Sequence, residues 1–162
     1  MIVKSTSLID QATKYFVKLA GIPIVGILLF SVLQQSNPYV KLPWGDRGIF
    51  LYGGFTIFGG KPVYTGIWDN KGPLIYWINA FGLWLMNGSQ WGVWFLQVLN
   101  LAISCLLLYL ILRSIMSHTY STLGVFFFLL ALNRTLSGGN LTEEYSLPFT
   151  LFALWLFIRP NP

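Results

Sequence analysis

The sequence predicts an all-α, multi-spanning integral membrane protein, with about four transmembrane helices and two further helices at the outer membrane interface. Hydrophobic residues make up 55% of the chain and charged residues only 9%, whereas soluble domains carry roughly a quarter charged residues. Aromatic residues reach 17%, and many Trp and Tyr stand near the ends of apolar segments, where amphipathic rings settle at a membrane interface. A soluble domain of this composition would expose large apolar patches, so we do not expect one.

The first predicted span covers residues 19–34 and follows a basic segment that contains Lys4, Lys14 and Lys18. A cleaved signal peptide is the competing interpretation, because a basic start and a short apolar core fit both. Glutamines and an asparagine follow the apolar run, where a signal peptide would have a cleavage site of small residues. This favours a retained span.

Three more spans are predicted at residues 90–112, 119–136 and 146–158. The first of these has about the 20 residues that a bilayer core requires. The segments between the spans leave two outer loops, 35–89 and 137–145. Neither a soluble domain nor a linker interrupts the series, so the whole chain is predicted to be one transmembrane region, 1–162.

Two segments of the first outer loop are predicted to be interfacial helices. Pro73–Met86 is apolar but shorter than the roughly 17 residues of a minimal span, so we expect an interfacial or re-entrant helix. If it crossed the membrane, the orientation of everything after it would reverse. Asp46–Phe58 also has apolar and polar residues on different helical faces, although Gly53 and Gly54 weaken this prediction.

The basic residues predict the orientation of the chain, because cytoplasmic loops carry an excess of Lys and Arg. They favour a cytoplasmic N-terminus and an outer face that carries both loops, in the cell (inner) membrane. Four basic residues nevertheless stay outside: Lys41, Arg47, Lys61 and Lys71. They serve either chemistry or contact with lipid phosphates.

Several other kinds of site are not predicted. The net charge of +5 is scattered through loops without forming a stripe, which argues against nucleic acid as a partner. His118 and Cys105 each stand alone of their type, so no metal site is predicted. No cofactor is predicted, and a requirement for a divalent metal stays open.

Four of the five acidic residues fall in the predicted outer loops: Asp46, Asp69, Glu143 and Glu144. Carboxylates close to a membrane are expensive to desolvate and often serve function. Structural explanations remain open for each of them. Asp46 can cap the helix that follows it, Asp69 can stabilise a turn, and the glutamates can mark the start of a helix.

Three segments in this order resemble a known family: GDRGIFLYGG, GGKPVYTGIWDNKGPLIYWINAFG and GGNLTEEYSLPF. They are similar to the N-terminal part of membrane glycosyltransferases of the GT-C type that use polyprenyl-phosphate sugars. Those enzymes include the dolichyl-phosphate-mannose protein mannosyltransferases and the aminoarabinose transferases. The resemblance covers most of the chain from Pro43 to about Phe157.

The resemblance implies roles for particular residues. Asp46 occupies the position of the catalytic base, and Glu143 or Glu144 matches a second, assisting acidic position. Lys71 is the expected contact to the donor phosphate. The accompanying donor-phosphate residues are Arg47, Asp69 and Asn70.

The implied reaction transfers a sugar from a polyprenyl-phosphate donor to an acceptor hydroxyl at the outer face, with inversion. The implied partners are the lipid-linked donor and membrane lipids, while the sugar and the acceptor stay open. Family enzymes are much longer than this chain, so we expect a truncated or split gene product that is inactive alone. The alternative is a non-catalytic membrane protein: a transporter or assembly subunit, or an inactive remnant. A transporter would place ionisable residues at mid-bilayer, where the predicted spans hold almost none.

Overall fold

The computed structural model describes residues 26, 29, 31–33, 37–39, 45–136 and 139–158. Regular structure within these ranges is entirely helical, which confirms the predicted all-α class. Helices α1 to α5 follow one another along the chain: Asp46–Phe58, Leu74–Leu85, Gln90–Arg113, His118–Thr135 and Thr142–Ile158.

Among the helices of the described ranges, α3 alone is long and apolar enough to cross a membrane. It has 24 residues, and only 28% of its most apolar stretch is buried. Helices α4 and α5 lie where the spans 119–136 and 146–158 are predicted, but the membrane crossing of these two helices stays a prediction. The predicted span 19–34 lies largely outside the described residues.

Helices α1 and α2 pack closely because α1 presents two glycines to α2. A Cβ on Gly53 would overlap the ring of Tyr76, and one on Gly54 would lie 2.5 Å from the Cβ of Asn79. Gly53 and Gly54 are buried within α1. The same glycines that weaken α1 as an isolated helix are therefore what allows it to approach α2. Both predicted interfacial segments are helical, and their position relative to a membrane stays a prediction.

A tight turn then joins α2 to α3. Asn87 and Gly88 have φ values of 52° and 84°, and the Gly88 N–H donates to the carbonyl of Leu83 at 2.7 Å. This pattern ends α2 in the way of a left-handed C-cap. Just after the turn, the Ser89 hydroxyl oxygen accepts a hydrogen bond from the N–H of Trp91 and caps α3.

Helix α3 is the centre of the fold, since α2, α4 and α5 all pack against it. Its N-terminal end meets α2 where a Cβ on Gly92 would overlap the carbonyl oxygen of Gly82. Further along, its buried side chains join one apolar core with α4 and residues 32–33: Val32, Leu33, Leu101, Cys105, Val125, Leu129, Leu132 and Leu136. A second core joins α1, α2 and the start of α5: Phe50, Ile75, Tyr76 and Tyr145.

Candidate active site

The segment Asp69–Lys71 is fixed by its own carboxylate and by two tyrosines. Asp69 Oδ1 accepts hydrogen bonds from the backbone N–H of Asn70 at 2.7 Å and of Lys71 at 3.4 Å, which is an Asx turn. Asp69 Oδ2 accepts from the Tyr76 hydroxyl at 2.5 Å. The Tyr64 hydroxyl donates to the carbonyl of Lys71 at 2.6 Å. The turn predicted for Asp69 is present. The backbone of Lys71 is held at the end of this turn by hydrogen bonds to its N–H and its carbonyl.

Tyr76 lies within the electrostatic field of two carboxylates. Its hydrogen bond is the main cause that lowers the pKa of Asp69, which is therefore ionised at neutral pH. Burial, then the hydrogen bond and charge of Asp69, and more weakly the charge of Asp46, raise the pKa of Tyr76 well above its usual range. Asp46 and Asp69, which come from different segments, thus share one neighbour.

Lys71 connects this segment to the second predicted outer loop. Its positive charge helps to lower the pKa of Asp69 and also that of Glu143. For Glu143 the largest cause is its own backbone N–H, followed by the Thr142 hydroxyl, which donates to Glu143 Oε2 at 3.0 Å. Acidic groups from two distant segments therefore lie within the electrostatic field of one cation, whose charge is the smallest of the causes that act on each. We call Asp46, Asp69, Lys71 and Glu143 the charged cluster.

Glu144 has the opposite environment from its neighbour Glu143. Its side chain is completely buried, whereas Glu143 is exposed. Glu144 Oε2 accepts from the backbone N–H of Asn140 at 2.6 Å. Its backbone carbonyl accepts from the side chain of Asn100 on α3 at 2.7 Å. Of the two glutamates, only Glu143 is accessible to a reactant in the described structure.

Buried amides join the two loops directly. Asn79 on α2 and Asn140 exchange hydrogen bonds between their side chains, at 3.2 Å and 3.0 Å. Both side chains are buried, as is that of Gln97 on α3. We call Asn79, Gln97, Asn140 and Glu144 the buried polar cluster. It fixes the start of α5, which carries Glu143 in its first turn, against the helix that follows Lys71.

The start of α1 shows whether Asp46 caps this helix. The N-cap residue is Gly45, with φ 65° and ψ −144°, and no side chain caps the helix. This backbone conformation is essentially restricted to glycine. Asp46 is the first helical residue and is exposed, so capping does not explain it. Arg47 follows in the same turn and is half-buried.

Within residues 45–136 and 139–158, no three His, Cys, Asp or Glu side chains are grouped so that they could hold a metal ion. The charged cluster combines carboxylates with a lysine. Such a set of groups can take a proton from a hydroxyl and stabilise a phosphate, because it holds both a base and a cation.

Sequence reasoning missed Tyr64 and Tyr76, which hold the Asp69–Lys71 turn, and the amides of the buried polar cluster. The sequence did contain a feature that indicates buried, hydrogen-bonded amides. Asn79 lies inside the apolar run PLIYWINAFGLWLM, and Gln97 lies inside the long apolar segment that forms α3. A polar residue in such a run requires a partner. The tyrosines carried no such signal, because an interfacial position accounts for them equally well.

Comparison with known proteins gives the family. Residues 70–160, more than half of the chain, match the dolichyl-phosphate-mannose-protein mannosyltransferase family. The matched range includes Asn70, Lys71 and both glutamates, while Asp46 and Asp69 precede it. No curated protein and no solved structure matches the chain. The chain belongs to the dolichyl-phosphate-mannose-protein mannosyltransferase family, a family of membrane glycosyltransferases.

Proposed function

We propose that the chain carries acid, base and phosphate-binding groups of a membrane glycosyltransferase. This enzyme transfers a sugar from a polyprenyl-phosphate donor to an acceptor hydroxyl at the outer membrane face. The observation that carries the proposal is that Asp69, in the turn before α2, and Glu143, in the first turn of α5, both lie within the electrostatic field of Lys71.

The buried amides support the same arrangement. Asn79 and Asn140 bond reciprocally across the two segments, so the loops 35–89 and 137–145 meet. Asn100 on α3 also bonds the backbone of Glu144. Residue 100 lies about 15 Å along the helix from Gln90, at 1.5 Å per residue. Both segments therefore contact the N-terminal half of α3, which supports the proposal that they share one membrane face.

Each member of the charged cluster has a proposed role. The acceptor hydroxyl is a poor nucleophile until Asp46 takes its proton. The acceptor oxygen then bonds to the anomeric carbon while the bond from that carbon to the phosphate oxygen breaks. Lys71, assisted by Arg47, stabilises the polyprenyl phosphate as it leaves with the bonding electrons. A single displacement of this kind inverts the anomeric centre.

Asp69 and Asn70 act through the turn rather than on the sugar. The Asp69 carboxylate accepts the N–H groups of Asn70 and Lys71, so it sets the direction in which Lys71 leaves the backbone. Glu143 is the second acidic residue of the site, since it is exposed and lies within the field of Lys71.

Sugar transfer in membranes that contain the protein at its natural length tests this function. Replacing Asp46 by Asn keeps its size and removes its basicity, so kcat should fall by roughly 10²–10⁴-fold. Asp10→Asn is the matched control, because it makes the same change on the opposite predicted membrane face. Wild-type turnover in Asp46→Asn would contradict the role of Asp46. Absence of transfer from any polyprenyl-phosphate sugar would favour a non-catalytic membrane protein.

A further inference from the structure

Two oxygen atoms of the buried polar cluster have no hydrogen-bond partner. They are Gln97 Oε1 and Glu144 Oε1, and both are inaccessible to solvent. A buried acceptor without a donor costs about 1–3 kcal/mol, and folded proteins hold few of them. Two such atoms in one cluster require an explanation.

The two side chains lie beside each other. A Cβ placed on Gly139 would be 2.5 Å from Gln97 Oε1 and 3.2 Å from Glu144 Oε2. Both groups therefore surround the same small volume next to Gly139. With Glu144 ionised, the Gln97 oxygen and the carboxylate beside it would both be acceptors, with no proton to share.

Among the described residues, no cation lies against Glu144 to pair with a carboxylate. The described polar groups that bond to Glu144 or lie beside it are the side chains of Asn100 and Gln97 on α3, the backbone N–H groups of Asn140 and Leu141, and the Tyr145 hydroxyl. All five are uncharged at neutral pH. Burial of an ionised carboxylate without a charged partner is far more costly than burial of the neutral acid.

We propose that Glu144 is a neutral carboxylic acid whose O–H donates a hydrogen bond to Gln97 Oε1. This single proton satisfies the Gln97 oxygen and removes the buried charge. Oε2 continues to accept from the backbone of Asn140. Glu144 is thereby a positioning residue, which holds the first turn of α5, where Glu143 lies, against α3. Its importance for sugar transfer rests on the proposed function, whereas its protonation does not.

The protonation state has a consequence for stability. Burial raises the pKa of Glu144 from 4.5 to about 8. The folded protein then keeps a proton that the unfolded chain loses above 4.5, so stability falls as pH rises between about 4.5 and about 8. Above about 8 both states are ionised, and this contribution no longer changes.

Infrared difference spectroscopy of the chain in lipid tests the proposal. The spectrum of wild type minus Glu144→Gln at pH 6 should show the C=O stretch of a protonated carboxylic acid. This band should disappear as the pH is raised past about 8. A carboxylate band of Glu144 at pH 6 would overturn the proposal, and would instead indicate that the Gln97 amide is turned to donate from its nitrogen.

Thermal unfolding provides an independent measurement. The midpoint of the wild type should fall by several degrees between pH 5 and pH 8 relative to that of Glu144→Gln, whose amide cannot titrate. Equal pH dependence in the two proteins would contradict a buried neutral acid.

The positioning role is tested by rescue. Glu144→Gln provides an N–H donor for Gln97 Oε1 and a carbonyl acceptor for Asn140, so it should retain most of the sugar transfer. Glu144→Ala should lose transfer. Equal loss in both variants would overturn the positioning role. If the wild type transfers no sugar, this result counts against the proposed function and not against the protonation of Glu144. The infrared measurement of the protonation state does not require sugar transfer.

Discussion

The charged cluster and the buried polar cluster meet at the adjacent residues Glu143 and Glu144 in the first turn of α5, yet their chemistry differs. In the charged cluster, hydrogen bonds and Lys71 lower the pKa of Asp69 and Glu143, so these carboxylates are ionised. In the buried polar cluster, the described groups around Glu144 are uncharged, and burial raises its pKa. Environment, and not residue type, therefore separates the roles of Glu143 and Glu144.

The difference between the clusters agrees with the role proposed for each one. Groups that bind phosphate or move a proton must keep a charge and remain accessible. Groups that fasten one loop to another are most effective when fully satisfied and shielded from water. The buried amide pair joins α2, which follows Lys71, to the segment just before Glu143.

The largest effect among the following changes is expected for Lys71→Met, which removes the cation of the charged cluster. Both donor binding and the chemical step should suffer, because Lys71 would contact the phosphate in both states. We expect kcat/KM to fall by roughly 10²-fold, as for other lost electrostatic contacts to developing charge.

Lys61→Met is the control for this change, since Lys61 is an exposed lysine in the same loop. It should leave kcat/KM close to wild type. Equal losses in the two variants would indicate a general attraction to lipid phosphate in place of a specific contact.

A smaller effect is expected for Asn79→Ala in the buried polar cluster. The change leaves both hydrogen-bonding atoms of the Asn140 side chain without their Asn79 partners. The free energy of unfolding should fall by about 1–3 kcal/mol. Asn133→Ala, at an exposed position of α4, should have little effect in the same denaturation experiment. An unaltered stability of Asn79→Ala would show that the amide pair does not join the loops.

The sequence predicted much of the fold because hydrophobic length is a local property. The apolar run 90–112 corresponds to α3, and the segment Asp46–Phe58 corresponds to α1. Gly53 and Gly54 were interpreted as weak points because their role depends on α2, which a local pattern does not contain. The roles of Asn79 and Asn140 were missed for the same reason, since their partners are distant in the sequence.

The candidate site was predicted less completely than the fold. The sequence grouped Asp46, Asp69 and the glutamates by predicted membrane face, but it contained nothing that separated Glu143 from Glu144. Burial decides between them, and burial depends on how α5 packs against α3. The cap proposed for Asp46 was also undecidable from sequence, because Gly45 and Asp46 are both acceptable N-cap residues.

The smallest effect is expected for Tyr76→Phe. This change removes the hydroxyl group by which Tyr76 of α2 donates to Asp69 of the charged cluster. The main cause that lowers the pKa of Asp69 is then absent, so this pKa should rise towards its usual value. Carbon-13 NMR of the Asp69 carboxyl group during a pH titration would measure the change.

Tyr76→Phe should lower the free energy of unfolding by at most about 1 kcal/mol, because the Asp69 carboxylate that accepts the lost hydrogen bond is partly exposed. A lowered pKa stabilises the folded state above the unfolded pKa, so the loss should be seen at neutral pH and vanish in acid. Tyr120→Phe, at an exposed tyrosine of α4, is the control. An unchanged pKa of Asp69 would show that the hydrogen bond to Tyr76 does not control it.

The most direct test of the division between the two clusters compares sugar transfer by Glu143→Gln and Glu144→Gln in the same membranes. Each variant replaces one of two adjacent glutamates by its uncharged isostere. If Glu143 acts through its charge and Glu144 is already neutral, Glu143→Gln should lower the rate by roughly tenfold or more. Glu144→Gln should stay within about threefold of wild type, a difference of less than 1 kcal/mol. Loss of transfer in Glu144→Gln together with wild-type transfer in Glu143→Gln would contradict the account.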